Sequence, residues 1–145
     1  MEVIVLNNTE FTIVLGPDDT YFAAGKYVTK PKIPIMPGNF TAYAMTSSNI
    51  GGGVNGGNAW DVMFDDGTKW NFATGWIAPV RGGKEAGVAE SSSPQDGNKA
   101  ATVNGNSITS KSVYKNKEGQ NIRFTASAAP HELYPTTYVI GTVKA

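Results

Sequence analysis

Few side chains in this 145-residue chain are of the types that carry out catalysis or bind metals. There is one histidine, His131, and no cysteine, which excludes thiolate metal sites, cysteine nucleophiles and multi-histidine metal sites. The GxSxG and HExxH motifs are absent. Asp18-Asp19 and Asp65-Asp66 are adjacent pairs whose side chains point apart in extended backbone, unlike the facing carboxylates of a glycosidase. We therefore expect no enzyme activity, no cofactor and no bound metal.

Aromatic residues are the more informative group, with three Trp, six Tyr and six Phe. Trp76 lies near the predicted end of a strand, and Arg81 and Lys84 follow it in a glycine-rich stretch. Aromatic side chains with a polar tip suit membrane interfaces and sugar faces when they lie at loop ends. Nearby cations can meet a phosphate group. The competing interpretation is that most of these rings fill the core of the protein.

The composition predicts the class of fold that must position these residues. The chain has 12 Val, 9 Ile and 14 Thr but only 3 Leu, and β-branched residues favour strands. Its 17 Gly and 8 Pro are spread along the sequence and interrupt helices. We predict an all-β fold, a single-domain antiparallel β-sandwich of about nine to twelve strands over residues 1–145, with no long helix. The formal net charge is zero, so no basic field favours nucleic acid.

Several strands and loops can be placed from alternation and turn residues. Strands are predicted at Glu2–Asn7, Phe11–Leu15, Thr20–Lys30 (bent near Gly25), Phe40–Thr46 and Thr136–Val143. Turns or loops are predicted at Gly16–Asp19, Gly51–Gly57 and Ser91–Gly97. The three prolines in Pro31–Pro37 predict an extended segment at a sheet edge or crossing between sheets.

Three hairpins are also indicated. The clearest joins Ala59–Phe64 to Thr68–Trp76 through Asp65-Asp66-Gly67, because an Asp-Gly turn lies between two alternating segments. Two others are predicted around Asn104-Gly105, between Ala100–Val103 and Ser107–Tyr114, and around Glu118-Gly119.

In order and rough spacing, most of the chain resembles the aegerolysin and actinoporin-like cytolysins, which are small β-sandwiches that recognise membrane lipids. The matching features are Asn8-Thr9, Gly25-Lys26, Pro37-Gly38, Gly51–Gly57, the hairpin Asp61–Thr68, Trp76-Ile77-Ala78-Pro79, Gly82-Gly83 and Gly141-Thr142-Val143. The chain departs from the family in two respects. It lacks the cysteines usual in aegerolysins, and its residues 2–15 read as strands rather than as the inserting amphipathic helix of actinoporins.

The resemblance implies a protein that binds sphingolipid or sterol head groups and needs a larger protein partner to form pores. It also implies release without a classical signal peptide and action at a target membrane, with oligomerisation possible. The lipid-binding residues that we predict are Trp76, Arg81, Lys84, Tyr27, Tyr21 and Trp70. Two alternatives remain open at this point: a carbohydrate-binding lectin, which would use the same aromatic loops, and a structural or assembly subunit.

Overall fold

A computed structural model describes residues 1–145 and contains eleven strands and one short helix. The strands are β1 (Glu2–Asn7), β2 (Thr12–Ala24), β3 (Lys26–Thr29), β4 (Phe40–Thr46), β5 (Val54–Met63), β6 (Lys69–Ala78), β7 (Glu85–Ala89), β8 (Ser107–Thr109), β9 (Tyr114–Lys115), β10 (Asn121–Ala129) and β11 (Thr136–Lys144); the helix is α1 (Pro94–Ala100). The prediction of an all-β fold with nine to twelve strands is confirmed.

The strands form two sheets. The seven-stranded sheet has the order β3-β4-β1-β11-β10-β8, with β9 also paired to β10, and the four-stranded sheet has the order β2-β5-β6-β7. Neighbouring strands are antiparallel except β1 and β11, which run parallel in the middle of the larger sheet. The architecture is therefore the predicted antiparallel sandwich with one parallel pair at its centre.

The core lies between the sheets and takes every second residue of the central strands. Val3 and Val5 of β1 face it from the larger sheet, and Trp70 and Phe72 of β6 face it from the smaller one. The Trp70 ring stacks on Phe124 of β10 at a centroid distance of 5.0 Å. This period of two is the physical basis of the strand predictions, because alternate side chains of a strand point to opposite faces.

The Asp-Gly hairpin forms as predicted between β5 and β6. Asp66 Oδ1 accepts hydrogen bonds from the backbone N–H of Thr68 (2.9 Å) and from its hydroxyl (2.6 Å). These bonds lower the pKa of the exposed Asp66 carboxyl. Gly67 has a φ of 87°, which a residue with a side chain rarely adopts. This Asp-Asp pair therefore shapes a turn.

The other hairpin predictions had mixed outcomes. The turn at Glu118-Gly119 joins β9 to β10 as predicted. The hairpin around Asn104-Gly105 is wrong, because Ala100 ends a helix and only Thr102 forms a bridge, to Ala86. The Pro31–Pro37 segment is extended, and Ile35 exchanges two backbone hydrogen bonds with Ile13 of the other sheet (3.0 and 2.8 Å).

Three predicted loops contain regular structure instead. The second half of Gly51–Gly57 belongs to β5, and Gly16–Asp19 lies inside β2 at a shift in strand register. The predicted loop Ser91–Gly97 runs into α1, where Pro94 occupies the first turn. Proline suits that position because the first turn of a helix needs no backbone N–H donor.

A row of glycines explains why a helix can lie there. Gly57, Gly75 and Gly87 are paired neighbours on β5, β6 and β7, and they open the outer face of the smaller sheet. A Cβ atom on Gly75 would overlap the backbone of Gly97, in the middle of α1. The helix therefore rests with its backbone directly on the sheet, and we call this row the glycine platform.

Candidate functional site

Four loops meet at one end of the sandwich, and we call this surface the loop end. They comprise residues 47–53, 79–84, 101–106 and 130–135. Gly83 lies between Val103 and Glu132, since a Cβ there would be 3.6 Å from Val103 Cγ2 and 3.1 Å from Glu132 Oε1. Similarly, a Cβ on Gly53 would be 3.3 Å from Pro79 Cα. Both sheets thus contribute to one continuous surface.

The loop end exposes a large hydrophobic side chain on every one of its four loops. Leu133 is 90% exposed, Tyr134 is 71% exposed, and the other three members are also well exposed: Ile50, Val80 and Val103. Scattered exposed hydrophobic residues are ordinary on protein surfaces, but a cluster of them marks an interaction site. These five are nearly half of the eleven large hydrophobic side chains that the protein exposes.

Two cations accompany these side chains. Arg81 is exposed and makes no hydrogen bond or ion pair within the chain. Lys84 is half-buried, and its Nζ donates a hydrogen bond to the carbonyl oxygen of Tyr134 at 3.1 Å. The predicted pair of cations therefore lies at the loop end, with one member free and the other tied to a neighbouring loop.

Trp76 and Trp70, which we predicted to bind lipid, do not present their rings at the surface. Trp76 is 0% exposed and Trp70 is 2% exposed, and both lie within β6 with their side chains in the core. Trp76 packs against Phe22 and Tyr43 at centroid distances of 5.8 and 6.5 Å. Trp70 Nε1 donates to Glu90 Oε2 at 2.6 Å. For these two residues the core interpretation is the correct one.

The predicted tyrosines lie elsewhere. Tyr27 of β3 is half-buried, with its ring 5.0 Å from that of Phe22, and its hydroxyl is hydrogen-bonded to Thr20 and Asn58. Tyr21 of β2 is half-buried opposite Gly57. Of the six predicted residues, the structure brings only Arg81 and Lys84 to the loop end.

Sequence reasoning missed the hydrophobic members of the loop end. A weak signal was available, because Ile50, Val80 and Leu133 each lie between turn-forming or polar residues and outside any alternating segment. An isolated aliphatic residue in a loop has two interpretations, a cap on the core or an exposed contact. The two interpretations can be distinguished only in the folded protein, where four loops that are distant in sequence come together.

The chemistry available at the loop end is that of contact and charge. His131 is exposed in loop 130–135. No group of three or more His, Cys, Asp or Glu side chains is arranged to hold a metal ion. The one helix, α1, is not long and apolar enough to cross a membrane. The surface can bury apolar side chains against a partner and offer it a guanidinium group.

Comparison with known proteins gives a match at the level of fold. No protein-family model and no curated protein matches the chain. The chain is similar to the crystal structure of the lipid-binding protein Nakanori, with a TM-score of 0.57 and 17% sequence identity. The match covers 98% of this chain and 68% of Nakanori. At this level of identity the similarity shows a shared fold, the two-sheet sandwich described above.

Proposed function

We propose that the protein binds membrane lipids at the bilayer surface through its loop end. The observation that carries this proposal is the exposure of five hydrophobic side chains on four separate loops at one end. Partners of this surface must be apolar and must be reachable by loop tips, and the boundary between lipid head groups and acyl chains meets both conditions. The lipid-binding activity named for the similarly folded Nakanori supports the same function.

The energetics are compatible with reversible binding. Removing one large hydrophobic side chain from water contributes about 1.5–3 kcal/mol when burial is complete. Insertion of Leu133 and Tyr134, with Ile50, Val80 and Val103 beside them, gives a favourable term even if each is only partly buried. Because the net charge is zero, binding does not require an anionic membrane. Arg81 would add a contact to a lipid phosphate.

The resemblance to the aegerolysin and actinoporin-like cytolysins extends the proposal to the lipid class. The expected ligands are sphingolipid or sterol head groups, and the expected mode of permeabilisation requires a larger protein partner. The predicted release without a classical signal peptide and action at a target membrane belong to the same proposal. The short α1, held on the glycine platform, supports the view that this chain does not insert a helix by itself.

Co-sedimentation with vesicles tests the proposal. The panel is phosphatidylcholine alone, with sphingomyelin, with sterol, and with both. We expect the protein to pellet selectively with vesicles that contain sphingomyelin or sterol, and to release no entrapped dye alone. The double variant Leu133→Ser/Tyr134→Ser should bind about tenfold more weakly, because it removes roughly 1.4 kcal/mol or more of apolar burial.

Phe40→Ser is the matched control. Phe40 is 61% exposed but begins β4 at the opposite end of the sandwich, where it pairs with Leu6. This variant should bind vesicles as the wild type does. Equal binding by all three proteins, or loss of binding only in Phe40→Ser, would reject the loop end as the membrane surface.

A carbohydrate-binding function is the second candidate, and a specific cavity favours it. At the end opposite to the loop end, Phe11, Phe64 and Tyr114 line a depression of about 470 Å³ with Asp65 and Asp66. Aromatic rings beside carboxylates provide stacking and hydrogen bonding for a sugar. A glycan array with strong hits that free sugar abolishes, and that Tyr114→Ala removes, would favour this function over lipid binding.

A further inference from the structure

A separate groove runs along one side of the sandwich, beside the edge strands β2 and β3, which are not paired with each other. Its volume is about 590 Å³, and its walls include Leu15, Phe22 and Ile33. Small-molecule sites typically have volumes of about 300–1,000 Å³ and mostly apolar walls with a few polar groups. The groove has this character, and it lies between strands, away from the tips of the loop end.

The polar groups in the groove include one hydrogen-bond donor that has no acceptor within the protein. Asn58 Nδ2 donates to Thr20 Oγ1 (3.0 Å) and to Tyr27 Oη (2.9 Å). The hydroxyls of Thr20 and Tyr27 are 3.0 Å apart, so one of them donates to the other. Each hydroxyl has one hydrogen, and these are their only hydrogen bonds within the chain. Whichever hydroxyl donates, the other keeps one hydrogen without a protein acceptor.

The buried Asn58 side chain fixes the position of this free donor. Asn58 is fully buried, and its Oδ1 accepts a hydrogen bond from the Tyr43 hydroxyl at 2.8 Å. The side-chain nitrogen of Asn58 is therefore held facing the hydroxyls of Thr20 and Tyr27. Because Thr20 and Tyr27 both line the groove, the spare hydrogen is available to an acceptor on a bound molecule.

One charge accompanies the donor. Lys30 is the single Lys, Arg, Asp or Glu among the residues that line the groove, and Asp19 lies just outside them, with its Oδ2 accepting a hydrogen bond from the backbone N–H of Gly16 at 3.1 Å. Lys30 is exposed and forms no ion pair. One hydroxyl donor and one ammonium group match the two oxygens of a carboxylate, and Leu15, Phe22 and Ile33 match an apolar chain.

We propose that this groove binds an amphiphile with a single carboxylate, such as a fatty acid, with its carboxylate between the Thr20–Tyr27 hydroxyls and Lys30 and its chain along the apolar wall. The site is independent of the loop end, because it uses none of the same residues. A protein with both sites would hold one soluble amphiphile while its loop tips contact a bilayer.

Titration calorimetry with sodium dodecanoate, kept below its micellar concentration, tests this site in the intact protein. Amide chemical shifts recorded in parallel should change around Thr20, Tyr27 and Ile33. Dodecyltrimethylammonium has the same chain and the opposite charge, and should bind at least tenfold more weakly. Absence of saturable dodecanoate binding, equal binding of both amphiphiles, or shifts confined to residues 130–135 would overturn the proposal.

Variants separate the charge from the hydroxyls. Lys30→Gln should weaken dodecanoate binding about fivefold, as expected for an exposed charge contact, whereas Lys32→Gln should have no effect. Lys32 is the matched control because it is exposed on the same segment but does not line the groove. Equal affinities for wild type and Lys30→Gln would contradict the assignment.

The hydroxyl count makes a sharper prediction. Thr20→Val and Tyr27→Phe should each keep dodecanoate binding, because each leaves one free hydroxyl hydrogen. The double variant should lose about tenfold in affinity, with thermal unfolding used to confirm that it is folded. A double variant that folds and binds like the wild type would overturn the role of the hydroxyls.

Discussion

Lys84 Nζ donates a hydrogen bond to the backbone carbonyl oxygen of Tyr134, across 50 residues of sequence and 3.1 Å of space. The bond joins the loop after β6 in the smaller sheet to the loop before β11 in the larger sheet. It holds Leu133 and Tyr134, two exposed hydrophobic residues of the loop end, against the loop that contains Arg81. The two cations predicted from the sequence therefore differ in their contacts: Lys84 joins two loops, whereas Arg81 is exposed and makes no hydrogen bond or ion pair within the chain.

The salt dependence of vesicle binding should distinguish Arg81 from Lys84. Arg81→Met should weaken binding to vesicles that contain anionic lipid about fivefold, since one cation near such a surface contributes about 1 kcal/mol. The loss should disappear in 0.5 M salt (roughly a 4 Å screening length), which screens exposed charges. Lys84→Met should also weaken binding, but the loss should persist in high salt because it comes from a loosened loop. Identical salt dependence in the two variants would contradict this assignment.

The tryptophan emission wavelength should not change when the protein binds vesicles. Trp60 and Trp76 are 0% exposed and Trp70 is 2% exposed, so their environment is already apolar before binding. We expect no blue shift for the wild type at saturating lipid. Tyr134→Trp should show a clear blue shift, because it places an indole on the loop end. A blue shift in the wild type would mean that binding rearranges the core.

The glycine platform should be intolerant of a single methyl group. Gly75→Ala would drive a Cβ into the Gly97 backbone and displace α1, and overpacking of this kind costs about 1–3 kcal/mol or more of unfolding free energy. Urea denaturation measures the change. Gly141→Ala is the control, because its Cβ would meet only Thr125 Oγ1, at 3.3 Å. Similar stabilities for the two variants would show that α1 does not need the platform.

Two buried tyrosines, Tyr43 and Tyr138, should lower the stability of the protein at alkaline pH. Burial raises the pKa of Tyr43 well above its usual range, and nearby Tyr138 and Tyr27 add to the shift; burial also raises the pKa of Tyr138. Below pH 10 both phenols are protonated in the folded and unfolded states, so stability does not depend on them. Above pH 10 only the unfolded state loses these protons, so stability falls, by about 3 kcal/mol between pH 8 and pH 11 for the two groups together.

Urea denaturation at these two pH values checks the expectation. Tyr138→Phe should remove about half of the drop, because one of the two buried phenols is gone. Tyr134→Phe is the control, since Tyr134 is exposed. An unchanged drop in Tyr138→Phe would assign the alkaline unfolding to other groups.

The fold could be predicted from the sequence because its central strands alternate cleanly. Residues two apart on a strand face the same core, as Val3 and Val5 do on β1 and Trp70 and Phe72 do on β6. The Asp65–Gly67 turn fixes how β5 and β6 pair. The errors fall where long-range packing overrides local preference. Gly56 and Gly57 read as a flexible loop, yet pairing with β6 places them in β5.

The candidate site was harder to predict because exposure is a property of the folded chain. Trp76, with Pro79 three residues later, has the local pattern of a loop aromatic, but β6 continues to Ala78 and turns the ring inward. Leu133 lies in an ordinary polar stretch, and only the neighbouring loops make it part of a surface. Arg81 and Lys84 could be placed in a loop from the sequence because Gly82 and Gly83 lie between them.

The parallel pairing of β1 with β11 has a practical consequence for anything joined to this protein. The ammonium of Met1 bonds to Met45 O (2.7 Å) near the loop end, whereas the N–H of Ala145 bonds to Asn121 O (3.1 Å) at the opposite end. A fluorescent domain fused after Ala145 would project away from the bilayer and leave docking free. The same domain fused before Met1 would stand between the loop tips and the membrane, so the choice of fusion end decides whether a reporter follows binding or blocks it.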